Sequence, residues 1–255
     1  MSRFDHATQV LVYLSVPKTG SSSLTRMLTE VFGPEHVAQL PDRQVDAFNH
    51  GWRRVHDQFR RMSMRTVNRI TGKDKKAFAA RFLHGHHPLW APLPTRRSPV
   101  FITMFRAPVD RFLSTYFYIR QKAEAMTQMN ALKQRVLATD PDDYARRVMG
   151  SPAARRLNGQ CLYMARDGSF AAARAALEQR LSDFASLEDL PDFARRLSDF
   201  LGCDELPVQR VNVARHPGRD TSLSPKVEDA LRAALSDDLR LYDFVQERAQ
   251  RGAAV

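Results

Sequence analysis

Residues 9–24 read Gln9-Val10-Leu11-Val12-Tyr13-Leu14-Ser15-Val16-Pro17-Lys18-Thr19-Gly20-Ser21-Ser22-Ser23-Leu24, and their reading decides the fold. Gln9 to Val16 is β-branched and apolar and stops at Pro17, the pattern of a buried strand. Ser21 to Phe32 then carries Leu24, Met27, Leu28 and Val31 at helical spacing and closes at Gly33-Pro34. Strand, tight glycine turn and helix open an α/β nucleotide-binding fold. Such a turn aims backbone N–H groups and the positive end of the helix dipole at one point, which suits a phosphate or similar anion. Here Lys18, Thr19 and Gly20 form the turn, the hydroxyls of Ser21, Ser22 and Ser23 add donors, and Lys18 adds a point charge. The order G-x-x-x-x-G-K-[ST] is absent and the lysine precedes the glycine, so this is not the loop of a nucleoside triphosphatase. The plainer alternative is an ordinary capped helix start; against it, Lys18 and Thr19 answer no evident structural need.

Working outward, Val37 to Leu40 reads as a short strand, Pro99 to Arg106 as a second strong strand, and Pro108 to Arg120 as a helix with proline in its first turn. Asp142 to Met149 and Phe170 to Arg180 are helical. Asp183 to Leu187 is a further strand, Pro191 to Leu201 a helix, and two helices follow the polar stretch Asn212 to Ser224. The expectation is therefore an α/β fold with a P-loop-like parallel sheet flanked by helices and a helix-rich second half. No linker stands out, so 1–255 is expected to be one domain. A composition of 43% hydrophobic and 26% charged residues excludes fibrous and disordered classes. The longest apolar runs, Val10 to Val16 and Val100 to Phe105, are too short to span a bilayer, and polar Met1 to Thr8 leaves no room for a secretory signal. A soluble, cytoplasmic protein without a membrane span is the expectation. Cys161 and Cys203 are the two cysteines, which excludes a disulfide framework and reads as reduced thiols.

Two further constellations carry chemistry. Arg106 ends the second strong strand, where open α/β sheets bind ligands, and Ser114 lies about two turns into the following helix. Together they can hold a second phosphate; a salt-bridged arginine and an ordinary helix serine are the alternative. A cation where metal-dependent phosphoryl-transfer enzymes place an aspartate argues against a magnesium site, and no metal is expected. Leu83-His84-Gly85-His86-His87 places His84 and His86 on one side of an extended segment and His87 on the other. A neutral imidazole suits a general base for a hydroxyl, with a slight preference for His84 and no geometry to choose. Satisfied structural histidines are the alternative.

The formal net charge of +11 is concentrated: residues 51–97 hold twelve Lys and Arg against two acids. Trp52, Val55, Phe59 and Met62 recur there at helical spacing with Arg53, Arg54, Arg60 and Arg61 on the other faces, an amphipathic helix with a basic exterior. Of 39 basic residues 32 are Arg, the residue suited to bidentate oxyanion recognition. An anionic ligand follows, with Arg53, Arg60 and Arg61 as candidate substrate contacts; a solvated basic face is the alternative. Nucleic acid is not expected, because the aromatics in the run, Trp52 and Phe59, stand at core-type spacing.

The three motifs in this order resemble the carbohydrate sulfotransferases related to heparan sulfate 2-O-sulfotransferase. The resemblance covers Val10 to Leu24, Leu83 to His86 and Val100 to Arg120, including Tyr116-Phe117-Tyr118, and extends more loosely to Asn158-Gly159-Gln160, Phe184 to Glu188 and Asn212 through Thr221. It implies 3′-phosphoadenosine 5′-phosphosulfate (PAPS) as sulfuryl donor and PAP as product. It implies Lys18 through Ser23 as the 5′-phosphosulfate loop, Arg106 and Ser114 as 3′-phosphate ligands, and His84 and His86 as bases. Arg219 and Thr221 become further 3′-phosphate contacts from a closing loop. The resemblance points to a carbohydrate acceptor and the charge to an anionic one, approached without a metal, while a sugar hydroxyl, an amine, a phenol and a lipid headgroup all stay open. The family's Golgi members carry an amino-terminal membrane anchor, absent from this sequence, so a cytosolic, bacterial-type relative is the expectation. A small-molecule kinase on the same cradle and a non-catalytic anion-binding module are the rival classes.

Overall fold

The computed structural model describes residues 3–42, 78–125, 131–152, 154–206, 208 and 222–253. Five parallel strands form one sheet in the order β2-β3-β1-β4-β5. They are β1 (Gln9–Leu14), β2 (Val37–Gln39), β3 (Phe82–Gly85), β4 (Ser98–Phe105) and β5 (Leu181–Ser186). Strand β1 is central and pairs from Leu11↔Phe82 to Leu14↔Gly85 on one side and from Gln9↔Ser98 to Leu14↔Thr103 on the other. A strand covered on both faces must be apolar at every position, which is why Val10 to Leu14 does not alternate. All five of these residues are fully buried.

Helix α1 (Ser21–Phe32) follows β1, and α2 (Pro108–Glu124) follows β4. The chain continues through α3 (Ala131–Ala138), α4 (Pro141–Met149), α5 (Gly159–Met164) and α6 (Phe170–Arg180) into β5. Then come α7 (Leu190–Leu201), α8 (Pro225–Ala234) and α9 (Ser236–Ala253). Val10, Val12 and Leu14 share a core with Tyr163, Leu177, Leu241 and Val245, so α5, α6 and α9 cover that face. Leu11 and Tyr13 pack with Leu24, Met27, Leu28, Phe193 and Leu197, so α1 and α7 cover the other. A third cluster, built on Phe112, Ala145, Leu157, Val227 and Leu231, ties α2, α4 and α8 together beside the sheet.

The connection leaving β1 runs toward the β2 edge, and the one leaving β4 runs toward β5. Adjacent strands whose crossovers diverge leave a crevice at their carboxyl ends, the place where open α/β sheets take ligands. Residues 15–20 and Arg106 are the two walls of that crevice. The α/β parallel-sheet expectation agrees with the fold. The differences are at boundaries: β4 starts one residue earlier than read, α2 continues to Glu124, and β5 is Leu181–Ser186 instead of Asp183 to Leu187. The basic segment with Arg53, Arg60 and Arg61, and the stretch with Arg219 and Thr221, lie outside the described residues.

Candidate active site

The cradle is built by backbone geometry. Gly20 stands at the N-cap of α1 with φ 80°, a left-handed conformation that glycine adopts without a Cβ penalty, and no side chain caps the helix. A Cβ at Gly20 would also collide with Leu187, at the end of β5, so this strand end packs directly on the cradle. The first turn of α1 carries no acid, leaving the positive end of its dipole uncompensated by a local carboxylate. Lys18 has φ 69°. For a non-glycine residue that costs about 1 kcal/mol or more, the kind of strain that persists where a side chain must be aimed.

Thr19 has a structural task that the sequence concealed. Its Oγ1 donates to the Val16 carbonyl at 2.9 Å and the residue is fully buried, so the hydroxyl closes the loop on itself. Any contribution of Thr19 to an anion falls to its backbone. Of the three serines, Ser23 is buried, Ser21 half-buried and Ser22 exposed.

Arg106 follows β4, and its Nη1 reaches the Lys18 carbonyl at 3.4 Å. The Lys18 ammonium is held below its usual range by burial first and by the Arg106 charge second. Two like charges thus sit together in a partly desolvated crevice. Among the described residues neither has an ion-pair partner, while eleven ion pairs satisfy other charges. The Lys18 Nζ lies 4.2 Å from the ring centroid of Tyr118, an exposed residue on α2. Ser114 is one helical turn before Tyr118 on the same face of α2, and that face meets the cradle.

The histidine segment joins from the other side. Ser15 N donates to the Gly85 carbonyl at 3.0 Å, and His86 Nδ1 lies 2.7 Å from the Ser15 carbonyl. A carbonyl can only accept, so Nδ1 carries the proton and Nε2 is the acceptor of the ring. His84 remains half-buried in β3, and burial, followed by the neighbouring His86, holds it below the usual histidine range. The extended segment does not continue to His87. The His87 N–H turns back to the Gly85 carbonyl at 2.8 Å, and the side chain is buried with Nε2 3.2 Å from the Pro92 carbonyl. Lys18, Arg106 and His86 therefore stand just beyond the carboxyl ends of the adjacent strands β1, β4 and β3, with His84 near the end of β3 itself. Among the described residues no group of three His, Cys, Asp or Glu could hold a metal ion, and no helix is long and apolar enough to cross a membrane.

Two contributors carry no assigned role in the sequence reading, which notes Tyr118 only within an aromatic-rich run. Tyr118 shares a helix face with Ser114 through simple i,i+4 spacing, a signal available in the sequence. Ser15, whose carbonyl fixes the tautomer of His86, acts through its backbone and leaves no sequence signal.

Comparison with known proteins bears on this edge directly. Residues 4–150 match the Sulfotransferase family, and that span contains β1 through β4, the cradle, the histidine segment and Arg106. Heparan sulfate 2-O-sulfotransferase 1 of Pongo abelii is 29% identical over 115 residues, which are 44% of this chain and 29% of that protein. The matched stretch is thus less than a third of that relative's length. With more than half of its residues inside the family match and the anion-cradle edge built from those residues, the chain belongs to the sulfotransferase family.

Proposed function

We propose that the protein transfers the sulfuryl group of PAPS to a hydroxyl on a carbohydrate or other anionic acceptor, with a histidine as base. The observation that carries this reading is the Lys18–Arg106 pair: two neighbouring cations with no carboxylate partner among the described residues, at the mouth of a helix N-terminus. Holding like charges together costs stability, and a ligand with anionic groups at two separated points offsets that cost. PAPS has them in its 5′-phosphosulfate and 3′-phosphate. The cradle from Lys18 to Ser23 would take the first, and Arg106 with Ser114 the second.

In the transfer, the acceptor oxygen forms a bond to sulfur as the bond from sulfur to the bridging phosphate oxygen breaks, and the electron pair stays on the phosphate. Charge therefore grows at the 5′-phosphate, where Lys18 and the α1 N–H groups supply fixed positive potential. The acceptor's proton needs a base. His86 is the better candidate, because its Nδ1–H is committed to the Ser15 carbonyl, which leaves the Nε2 lone pair as the acceptor of the neutral ring. His84, kept neutral by its surroundings, orients the acceptor. The acceptor class is supported by what the Pongo abelii relative is named for and by the arginine-rich segment 51–97.

The test is transfer of labelled sulfate from PAPS to a panel of acceptors that includes uronic-acid glycans, neutral sugars and phenols, with chelator present. Transfer to a glycan is expected. His86→Ala should lower kcat by roughly 10²- to 10⁴-fold while PAP affinity is retained. Absence of transfer to every acceptor, or a His86→Ala variant with normal kcat under rate-limiting chemistry, contradicts the proposal.

A further inference from the structure

Beyond β4 the sheet ladder stops, and the backbone of Arg106 has no neighbouring strand to bond with. Gln160, the second residue of α5 and fully buried, takes that place. The Arg106 N–H donates to Gln160 Oε1 at 3.0 Å, and Gln160 Nε2 donates to the Arg106 carbonyl at 3.0 Å. One primary amide thus satisfies both backbone groups of a single residue, as a paired strand would. Few side chains can do this: the group must be donor and acceptor at once, planar, and set at the right distance from its own backbone.

Gln160 is itself pinned. Its N–H donates to Asp238 Oδ2 at 3.0 Å, and the next N–H, of Cys161, donates to Asp238 Oδ1 at 2.8 Å. Arg111 Nη2 reaches the same Asp238 Oδ2 at 3.3 Å, and both charged side chains are wholly buried. The Asp238 N–H in turn donates to Asn158 Oδ1 at 3.0 Å. Since Arg111 belongs to the first turns of α2, bonded through its N–H to the Ala107 carbonyl, the contacts close into a ring: Arg106, α2, Arg111, Asp238, Gln160 and back to Arg106.

We propose that Gln160 is a positioning residue for donor recognition: it fixes the backbone from which Arg106 reaches for the 3′-phosphate, and so sets the protein's preference for a nucleotide that carries one. Lys18 and the cradle stand on the opposite wall of the crevice and meet Arg106 through its guanidinium, whose Nη1 reaches the Lys18 carbonyl at 3.4 Å. Loss of the amide should therefore weaken the 3′-phosphate contact far more than the contacts at the 5′ end.

This rests on the PAPS reading above, and the test separates the two. Calorimetric titrations of PAP and ADP, which carry the second phosphate at the 3′ position and on the 5′-phosphate respectively, are made on wild type, Gln160→Met and Gln160→Glu. Methionine fills the space without either hydrogen bond; glutamate keeps an acceptor for the Arg106 N–H but faces its carbonyl with a second oxygen. In both variants the PAP-over-ADP preference should drop at least about tenfold with ADP affinity retained, and retained ADP binding shows that the cradle is folded. If Gln160→Met does not fold, Gln160→Glu decides alone. A variant that binds both nucleotides with the wild-type preference overturns the role of Gln160 and leaves the PAPS reading standing. A wild type with no preference for PAP removes both.

Discussion

Arg106 and Arg111 bracket the first turn of α2 and are treated in opposite ways. Arg111 is wholly buried against Asp238, whose oxygens also cap the first N–H groups of α5. Arg106 is half-exposed, its side chain leans over Lys18, and among the described residues it has no carboxylate partner. The same residue type thus serves architecture where its charge is paired and, on the proposed function, ligand recognition where its charge is left to find an anion. The contrast separates the two kinds of basic residue in a chain of formal charge +11 better than any count of arginines.

The comparison can be broken first on the architectural side, where the effect is largest. Asp238→Ala removes the carboxylate that a buried guanidinium and two N–H groups of α5 share, and removing one partner of a buried pair typically costs about 3–5 kcal/mol. Urea unfolding of the free protein should show a loss of that size. A loss below about 1 kcal/mol would mean that the pair is not what holds α2, α5 and α9 together.

On the recognition side the expectation reverses. Lys18→Ala should lower sulfate transfer by roughly 10²- to 10³-fold, the scale of losing one charge-stabilising donor, and should leave the unfolding midpoint of the free protein unchanged or higher. The sign follows from the lowered pKa of Lys18. Its ammonium is disfavoured in the folded state, so below the lowered value it opposes folding. That penalty fades as pH rises from the lowered value toward about 10.5, the value in the unfolded chain. Unfolding monitored at pH 7 and near pH 10.5 checks this: the stability advantage of Lys18→Ala should shrink at the higher pH. A variant that loses stability at pH 7 contradicts the reading of Lys18 as an unpaired cation awaiting an anion.

The two sides of this comparison were unequally legible in the sequence. The cradle could be read because its strand and helix are local patterns: an unbroken apolar run, a glycine turn, and leucines at helical spacing. Arg106 could be read because Pro108 marks the helix start and the strand before it is short and apolar. The site's supporting parts could not. Asp238 and Gln160 are 78 residues apart and meet through backbone N–H groups that any sequence supplies. Thr19 looked like a ligand because nothing local asked for a threonine, and its hydroxyl instead bonds the loop that contains it. His87 looked like part of an alternating strand, whereas the chain turns at Gly85 and buries it. Local periodicity reports elements, and long-range hydrogen bonding, which sets the aim of the side chains, has no periodicity.

The central claim is that the Lys18–Arg106 crevice accepts a nucleotide anionic at both its 5′ and 3′ ends, and paired titrations of PAP and ADP into wild type and Arg106→Ala, with and without chelator, test it most directly. The account predicts tighter binding of PAP than of ADP, no effect of chelator, and an Arg106→Ala variant that loses PAP affinity much more than ADP affinity. Equal affinity of the wild type for the two nucleotides, or equal losses in the variant, would contradict it.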